Sequence, residues 1–543
     1  MTLLFRNPRY GEGVKKMVRA SVQRLLWTES CVGYMMMRDL RISDNWTLQA
    51  AQKEANKRSL PLVVFYPYCL DWLEAHGISS WQLNFMFHVL SLLKQELAPI
   101  GVSFVYLKVD NRLEMIEGVA NFCRDTSIHH LFTTAEYEVD EKEVIRELDK
   151  VLHVHAIHQS CIVKPGTLTT LKGTQYAVFT PWYRSWCAHV NSHPSVLTTP
   201  TINESPTDSS RNLNTTVKVE TPTDNSLNST ITPTDAKSLS IGSQNLSDLG
   251  ECPLKLTSEQ QEYFDTHYKI ESLDLPLQDF QDNVDLVLHY NTRRNDLTSS
   301  TSRMSHHLAL GVVSPRQLIQ IHLKRRDISK VDSGNADVVD YVRELAWRDF
   351  YRHILSNSPH VSKHLPYQLK YKSVPWENSG PAASHFEAWC NGETGFPIVD
   401  ALMRQLLATG YLSNRSRMVV ASFLAKNLLI DWRLGEQWFA THLIDYDFLS
   451  NNGGWGFCAS VGVDPQPYFR VFNPLLQSTK FDKQAVFIKK WVPELAELDT
   501  KLSHLPYDTR EGSRVAARER YPRPIVNYKK TREIAIQRYK ESA

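Results

Sequence analysis

The usual signs of cysteine chemistry are missing. The eight cysteines, Cys31, Cys69, Cys123, Cys161, Cys187, Cys252, Cys390 and Cys458, are scattered, with no C-x-x-C and no Cys/His cluster at zinc spacing. No metal is expected, and a reducing intracellular compartment is the simplest reading. No apolar run is long enough to span a bilayer, and no secretory h-region is present. Charge of one sign is missing too. The formal net charge is only +2, so no global basic surplus marks a nucleic-acid binder.

What is present bounds the answer further. The 543 residues suggest roughly two to four domains. With 42% apolar and 22% charged residues, the composition is that of a globular protein. Thirteen tryptophans are many, and they imply a large aromatic core, stacking surfaces for flat ligands, or both. Basic residues cluster locally, in Arg510–Lys540 and in Met1–Arg24. Such clusters can neutralise phosphates, although a solvated surface explains any single Lys or Arg. The acid-poor start, with Arg6, Arg9, Lys15, Lys16, Arg19 and Arg24, is compatible with a mitochondrial presequence and equally with a basic tail.

From Cys31 onward short apolar runs alternate with amphipathic stretches. CVGYMMM (31–37), LPLVVFYPY (60–68), VSFVYLKV (102–109) and HHLFTTA (129–135) read as buried strands. Thr47–Lys57, Trp81–Leu97, Arg112–Arg124 and Glu141–Leu152 read as the helices between them. This alternation predicts an α/β domain with a parallel, doubly wound sheet. The turn after the first strand is Arg38-Asp39-Leu40-Arg41, not G-x-G-x-x-G, which argues against a dinucleotide site on this sheet. Residues 192–250 are rich in Pro, Thr, Ser and Asn and read as a disordered linker or inserted loop. After Leu256 helical periodicity dominates, in Val339–Ser356, Ile398–Ala408, Arg415–Leu429 and Glu436–Ile444, giving a second, mainly α-helical domain.

Several helical segments carry candidate chemistry. Thr301-Ser302-Arg303-Met304-Ser305 opens a helix through His306–Leu310 to Gly311. Hydroxyl residues there cap the helix, the default reading, or hold phosphate oxygens beside its free N–H groups. In RELAWRDFYRHIL, spacing puts Glu344, Trp347 and Arg348 on one face; a Glu–Arg surface pair beside a buried Trp is the plain alternative. In YLSNRSRMVVASF, Asn414 and Met418 share a face while Arg417 points elsewhere; a cap at Asn414 and a core methionine would also satisfy the pattern. The least ordinary stretch is LIDYDFLSNNGGWGF (443–457), with Asp445, Asp447, Asn451, two glycines, Trp455 and Phe457. Acids, an amide and aromatics around a Gly-Gly pair suit a flat ligand with polar edges.

Here the residues resemble the DNA photolyase/cryptochrome family, and within it class I cyclobutane pyrimidine dimer photolyases of the fungal type. The resemblance rests on WRDFYRHIL, GFPIVDALMRQLLATGYLSNRSRM, ASFLAKNLLIDWR, NNGGWGF and DPQPYFRVFNP, with RDLRISDN and YAVFTPWYRSW upstream. It covers the chain apart from its first thirty residues, the 192–250 linker and the last tail. It implies a basic extension at 1–29, an α/β antenna domain at 30–165, an interdomain linker with its insert at 166–260, a helical FAD- and DNA-binding domain at 261–510, and a basic tail at 511–543.

For the flavin, the resemblance assigns phosphate contacts to Thr301, Ser302 and Ser305, with Met304 beside them and Tyr290 upstream. It pairs Arg417 with Asp445 over the flavin, sets Asp447 at the flavin and adenine edge, and puts Asn451 next to flavin N5. An amide there is what repair enzymes usually carry; plant-type photoreceptors usually have Asp and insect-type ones Cys. Glu344, Trp347, Asn414, Arg415, Met418 and Phe457 match the dimer pocket. Glu344 would hydrogen-bond the thymine edge, Trp347 would stack on the flipped-out dimer, and Met418 would pack against it. Photolyases for (6-4) lesions carry a His pair where Asn414 and Met418 stand. Trp455, Trp432 and Trp376 match the chain that photoreduces the flavin. Asp140, Glu141 and Lys363 match contacts to a 5,10-methenyltetrahydrofolate antenna, with Ser362 where one member has Cys.

The expected function is blue-light repair of cyclobutane pyrimidine dimers in DNA by a monomeric deoxyribodipyrimidine photo-lyase carrying FAD, in the nucleus with the mitochondrion as a further address, with no membrane partner. The rivals are a signalling cryptochrome, a (6-4) photolyase and an electron-transfer flavoprotein; Asn451, the dimer pocket and NNGGWGF weigh against them in turn.

Overall fold

The computed structural model describes residues 31–200 and 249–542, apart from 284–286, 288, 299–300 and 379. The Met1–Arg24 stretch and residues 201–248 of the insert lie outside these residues. Five strands, β1 (Cys31–Met35), β2 (Leu62–Tyr68), β3 (Ser103–Lys108), β4 (Ile128–Thr134) and β5 (His153–Ile157), form a parallel sheet in the order β3-β2-β1-β4-β5. β1 and β2 are buried along their whole length, and their unbroken apolar runs follow from cover on both faces. α1 (Trp46–Arg58) and α2 (Ser80–Leu97) cover one face, and α3 (Met115–Asp125) and α4 (Val139–Leu148) the other. Gly33 is required at its site, because a Cβ there would stand 2.8 Å from Ile128.

The expected doubly wound sheet is present. β5 was not anticipated from the sequence. Its residues are partly or fully exposed, so it has no apolar run to announce it. The third helix starts at Met115, not Arg112, because Asn111 Oδ1 accepts the N–H groups of Leu113 and Glu114 in a turn.

The second domain is built from α5 (Phe179–Ser192), α6 (Ser258–His267), α7 (Ser305–Leu310), α8 (Pro315–Lys324), α9 (Ala336–Asn357), α10 (Pro397–Thr409), α11 (Asn414–Ser422), α12 (Trp432–Ala440), α13 (Phe448–Cys458), α14 (Arg510–Arg518) and α15 (Tyr528–Ser542), among shorter turns. Three stretches differ from expectation. Within the 166–260 linker, α5 is helical, and its Trp182 and Trp186 sit in the same core as α9. α6 instead packs Phe264 against the sheet domain. The 511–543 tail is largely helical, and Tyr539 at its end is fully buried. The single helix expected over Arg415–Leu429 ends at Ser422 and continues as a wider π turn, Phe423–Asn427. That turn carries Lys426, which is fully buried and donates Nζ to the Arg470 carbonyl at 2.9 Å.

The two domains meet over the carboxyl ends of β1 and β4, where the strand order reverses. Open α/β sheets commonly bind ligands at such a crevice. Here Arg316 pairs with Asp44 at 3.0 Å and Arg41 donates to the Gly311 carbonyl at 2.8 Å. Arg38 reaches Glu136, Glu138 and Glu141, and lies 4.0 Å from Asp447 of the helical domain. The start of α2 completes the seam. Ser79 Oγ donates to the Leu443 carbonyl and Gln82 Nε2 to that of Tyr446, each at 2.7 Å, bracketing Asp445.

Candidate active site

The site grows from the start of α13. Asp447 caps that helix, accepting from Ser450 N at 2.9 Å, and binds Arg352 at 2.7 Å. Burial alone would raise the Asp447 carboxyl, but Arg352, Arg348 and Arg38 outweigh it and hold it far below the carboxylate range. Asp447 is thus an ionised strut facing the domain seam. One turn on, buried Asn451 donates Nδ2 to the Glu436 carbonyl at 3.0 Å. That anchor leaves Oδ1 as the amide's acceptor. The glycine pair is asymmetric. A Cβ on Gly453 would strike Tyr351 at 2.2 Å, whereas one on Gly454 would meet nothing within 4 Å. Space therefore opens beside Gly454, three residues from Asn451.

α11 adds the opposite wall. Its cap is Ser413, which accepts from Ser416 N; Asn414 is the first helical residue and is exposed, so the capping alternative for Asn414 does not hold. Arg417 donates Nη2 to both Asp445 oxygens, at 2.8 and 2.7 Å, while its Nε donates to the Leu412 carbonyl. The expected Arg417–Asp445 pair is therefore formed, and each charge answers the other. Tyr411 lies within electrostatic reach of both and hydrogen-bonds Thr301. Arg303 covers the Tyr411 ring at 4.8 Å. α7 begins at Ser305, later than the Thr301 start read from sequence. Ser302 Oγ and Tyr341 Oη are 3.3 Å apart, Met304 is buried, and Ser305 Oγ is buried without a hydrogen-bond partner. Tyr290 meets Tyr341 edge-on at 5.4 Å. An orphaned hydroxyl at a helix start and open space by Gly454 are what a bound dinucleotide with a flat ring would use, so these residues fit FAD.

On the rim, Glu344 does not pair with Arg348. Its Oε1 accepts from Arg294 Nη1 at 2.6 Å, while Arg348 donates to the Ser160 carbonyl across the seam and to the Leu308 carbonyl within its own domain. Trp347 stacks on Phe179 with centroids 3.6 Å apart and planes 7° from parallel. Arg415 is held by Asn295 Oδ1 at 2.9 Å and covers Phe481. Met418 and Phe457 are half-buried. Sequence reasoning missed Arg294 and Phe179. The aromatic spacing of Phe179, Trp182, Tyr183 and Trp186 is the signal that points to Phe179.

Trp455 and Trp432 are almost fully buried and Trp376 is partly exposed, all around one core, so the three grade from interior to surface. Trp389, fully buried and 6.1 Å from Trp455, is a neighbour the sequence did not single out. In the domain cleft, Asp140 lies 3.5 Å from His76, which Trp72 stacks. Glu141 is buried, with Oε2 unpartnered. Lys363, from the helical domain, is exposed beside His364, whose Nδ1 is 2.9 Å from Glu436.

Known proteins match most of the chain. Residues 341–541 match the family model for the FAD binding domain of DNA photolyase, and residues 32–202 the DNA photolyase model. The chain is 36% identical to a deoxyribodipyrimidine photo-lyase of Neurospora crassa, covering 96% of this chain and 83% of that one. It is also 36% identical to the mitochondrial deoxyribodipyrimidine photo-lyase of Saccharomyces cerevisiae, over 94% and 87%. A solved class III photolyase from Agrobacterium tumefaciens superposes with a TM-score of 0.73 at 27% identity, covering 97% of this chain and 99% of that one.

Proposed function

Because this chain belongs to the DNA photolyase/cryptochrome family, we propose a concrete division of labour for its light-driven, FAD-dependent repair of pyrimidine dimers in DNA. The protein is a deoxyribodipyrimidine photo-lyase. We assign it to the fungal class I group, acting on cyclobutane dimers. The observation that supports the reading is that α9, which bears Glu344 and Trp347, and α11, which bears Met418 and the Asp445-paired Arg417, both pack against α13, which bears Asn451 and Phe457.

Bound, reduced FAD supplies on blue-light excitation the electron that splits the dimer and regains it, with no net redox change. The chain's own residues do the rest. Thr301, Ser302, Met304, Ser305 and Tyr290 hold the phosphate side. The Arg417–Asp445 pair closes over the ring with no stray charge. Asn451 Oδ1 would accept a hydrogen bond from a ring N–H, and Asp447 steadies its helix. Arg415 and Asn414 meet the DNA, Trp347 offers a stacking face backed by Phe179, and Glu344 addresses the thymine edge, where charge develops. Trp376, Trp432 and Trp455 carry electrons inward. Asp140, Glu141 and Lys363 hold a folate antenna across the cleft. The chain works as a monomer, in the nucleus with the mitochondrion as a second address; the name of the yeast relative and the basic Met1–Arg24 stretch support the latter. Among the described residues no helix is long and apolar enough to cross a membrane.

The test is light-dependent repair of an oligonucleotide bearing one cyclobutane thymine dimer, using purified protein with its flavin photoreduced. Dimer loss under blue light and none in the dark is expected. No repair with fully reduced flavin would refute the enzyme reading; repair of (6-4) lesions instead would overturn the specificity.

A further inference from the structure

The Arg294–Glu344 contact has a chemical consequence beyond lesion binding, and it rests on the repair reading above. The two side chains are 31% and 29% exposed, closed enough to pair and open enough for DNA to reach. Arg294 also lies over the Tyr290 ring at 5.8 Å. Around Glu344 stand Asp340 and Arg343 on the same helix, with Tyr290 and Tyr351. Asp340 is bonded to Asn291 and Arg343 and lies 3.7 Å from Arg294, which is also within electrostatic reach of Arg415. Burial already pushes the Glu344 carboxyl upward, and Arg294 is the main group opposing it.

An ionised carboxylate only accepts hydrogen bonds, and a thymine carbonyl offers it nothing. The protonated acid has an O–H to donate. Docked DNA changes three things with one sign. Phosphates compete for Arg294, the inserted lesion strips water from Glu344, and the polyanion adds negative potential. We propose that Arg294 and Glu344 form a lesion-triggered proton switch, in which docked DNA draws Arg294 away and Glu344 takes up a proton from solvent to become a hydrogen-bond donor to the dimer. Arg294 is thus a positioning residue acting through Glu344. The step makes one O–H bond at Glu344, and the solvent buffer supplies the proton.

Titration calorimetry tests this in the dark, near neutral pH, in two buffers of different ionisation enthalpy, with FAD-loaded protein and a duplex carrying one thymine dimer. Wild type should take up about one proton on binding, and its affinity should fall about tenfold per pH unit across the window. Glu344→Gln should bind with no uptake. Arg294→Met, already without the opposing cation, should take up less than half as much, and Arg294→Lys should keep the uptake. An unchanged flavin spectrum in each variant shows that the fold is intact. Lesion-selective binding without uptake, or equal uptake by Glu344→Gln, overturns the switch alone. Loss of any preference for the lesion in wild type overturns the repair reading, and the switch with it.

Discussion

Asn451 shows how one side chain acquires a role from its anchor. With one Nδ2 hydrogen on the Glu436 carbonyl, the amide is held in one orientation and its oxygen is free to accept from a ligand. Asp at this position would lose the donor, set a carboxylate against that carbonyl and add negative charge beside the reduced ring. Asn451→Asp should therefore lower the two-electron potential of the bound flavin by roughly 30 mV or more and slow repair, as a spectroelectrochemical titration would reveal. An unchanged potential would remove Asn451 from the flavin's neighbourhood. At this scale the sequence was legible where a residue is recognisable by its own motif. Asn451, Arg417 and Asp445 announced themselves in long blocks. Arg294 did not, because its meaning lies in a contact with Glu344 fifty positions away. Phe179 is hidden because it lies close before the polar insert, within the 166–260 stretch that reads as a linker.

Elements were legible to the extent that their burial is periodic. β1, β2 and α2 are buried on so many positions that composition alone finds them. α15 fails that test: of its fifteen residues only Ala535 and Tyr539, four apart, are buried, and the surrounding Lys and Arg make it read as a tail. Yet Tyr539 is fully buried, donates Oη to the Ala459 carbonyl at 2.6 Å, and packs 6.1 Å from Trp376. The helix is therefore a structural lid over the outer tryptophan. Tyr539→Phe should cost about 1 kcal/mol, the net worth of one hydrogen bond, and Tyr539→Ala about 3–5 kcal/mol through the cavity it leaves. Both follow from denaturant unfolding monitored at the tryptophans. Equal, negligible losses would mean that α15 is not docked.

For the whole molecule, the decisive region is the seam at the sheet's switch point, where charge is buried between the domains. Glu136 lies there with Oε1 unpartnered; burial, only partly opposed by Arg38, pushes its carboxyl up to about 8. At the rim, His76 donates Nδ1 to the Trp72 carbonyl and faces Asp140 and Glu141. Burial works against its charge, but the hydrogen bond to Asp140 and the field of Glu141 lift it to about 9. Both groups have folded values above their unfolded ones. Each therefore contributes most below its unfolded pKa, and that contribution is exhausted as pH rises through about 8 for Glu136 and about 9 for His76. Below those values a neutral Glu136 and a charged His76 stabilise the sheet domain's side of the seam. Above them, an ionised glutamate is left buried and an imidazole gives up the charge that faces two acids. Thermal unfolding of the FAD-loaded protein should thus show a midpoint that falls between neutral pH and about pH 9. His76→Gln should flatten the upper part of that fall. Glu136→Gln should flatten the lower part and become more stable than wild type above about pH 8. If Glu136→Gln never crosses the wild-type curve, the buried acid is already ionised at neutral pH, and the seam is held by Arg38 pairing, not by a shared proton.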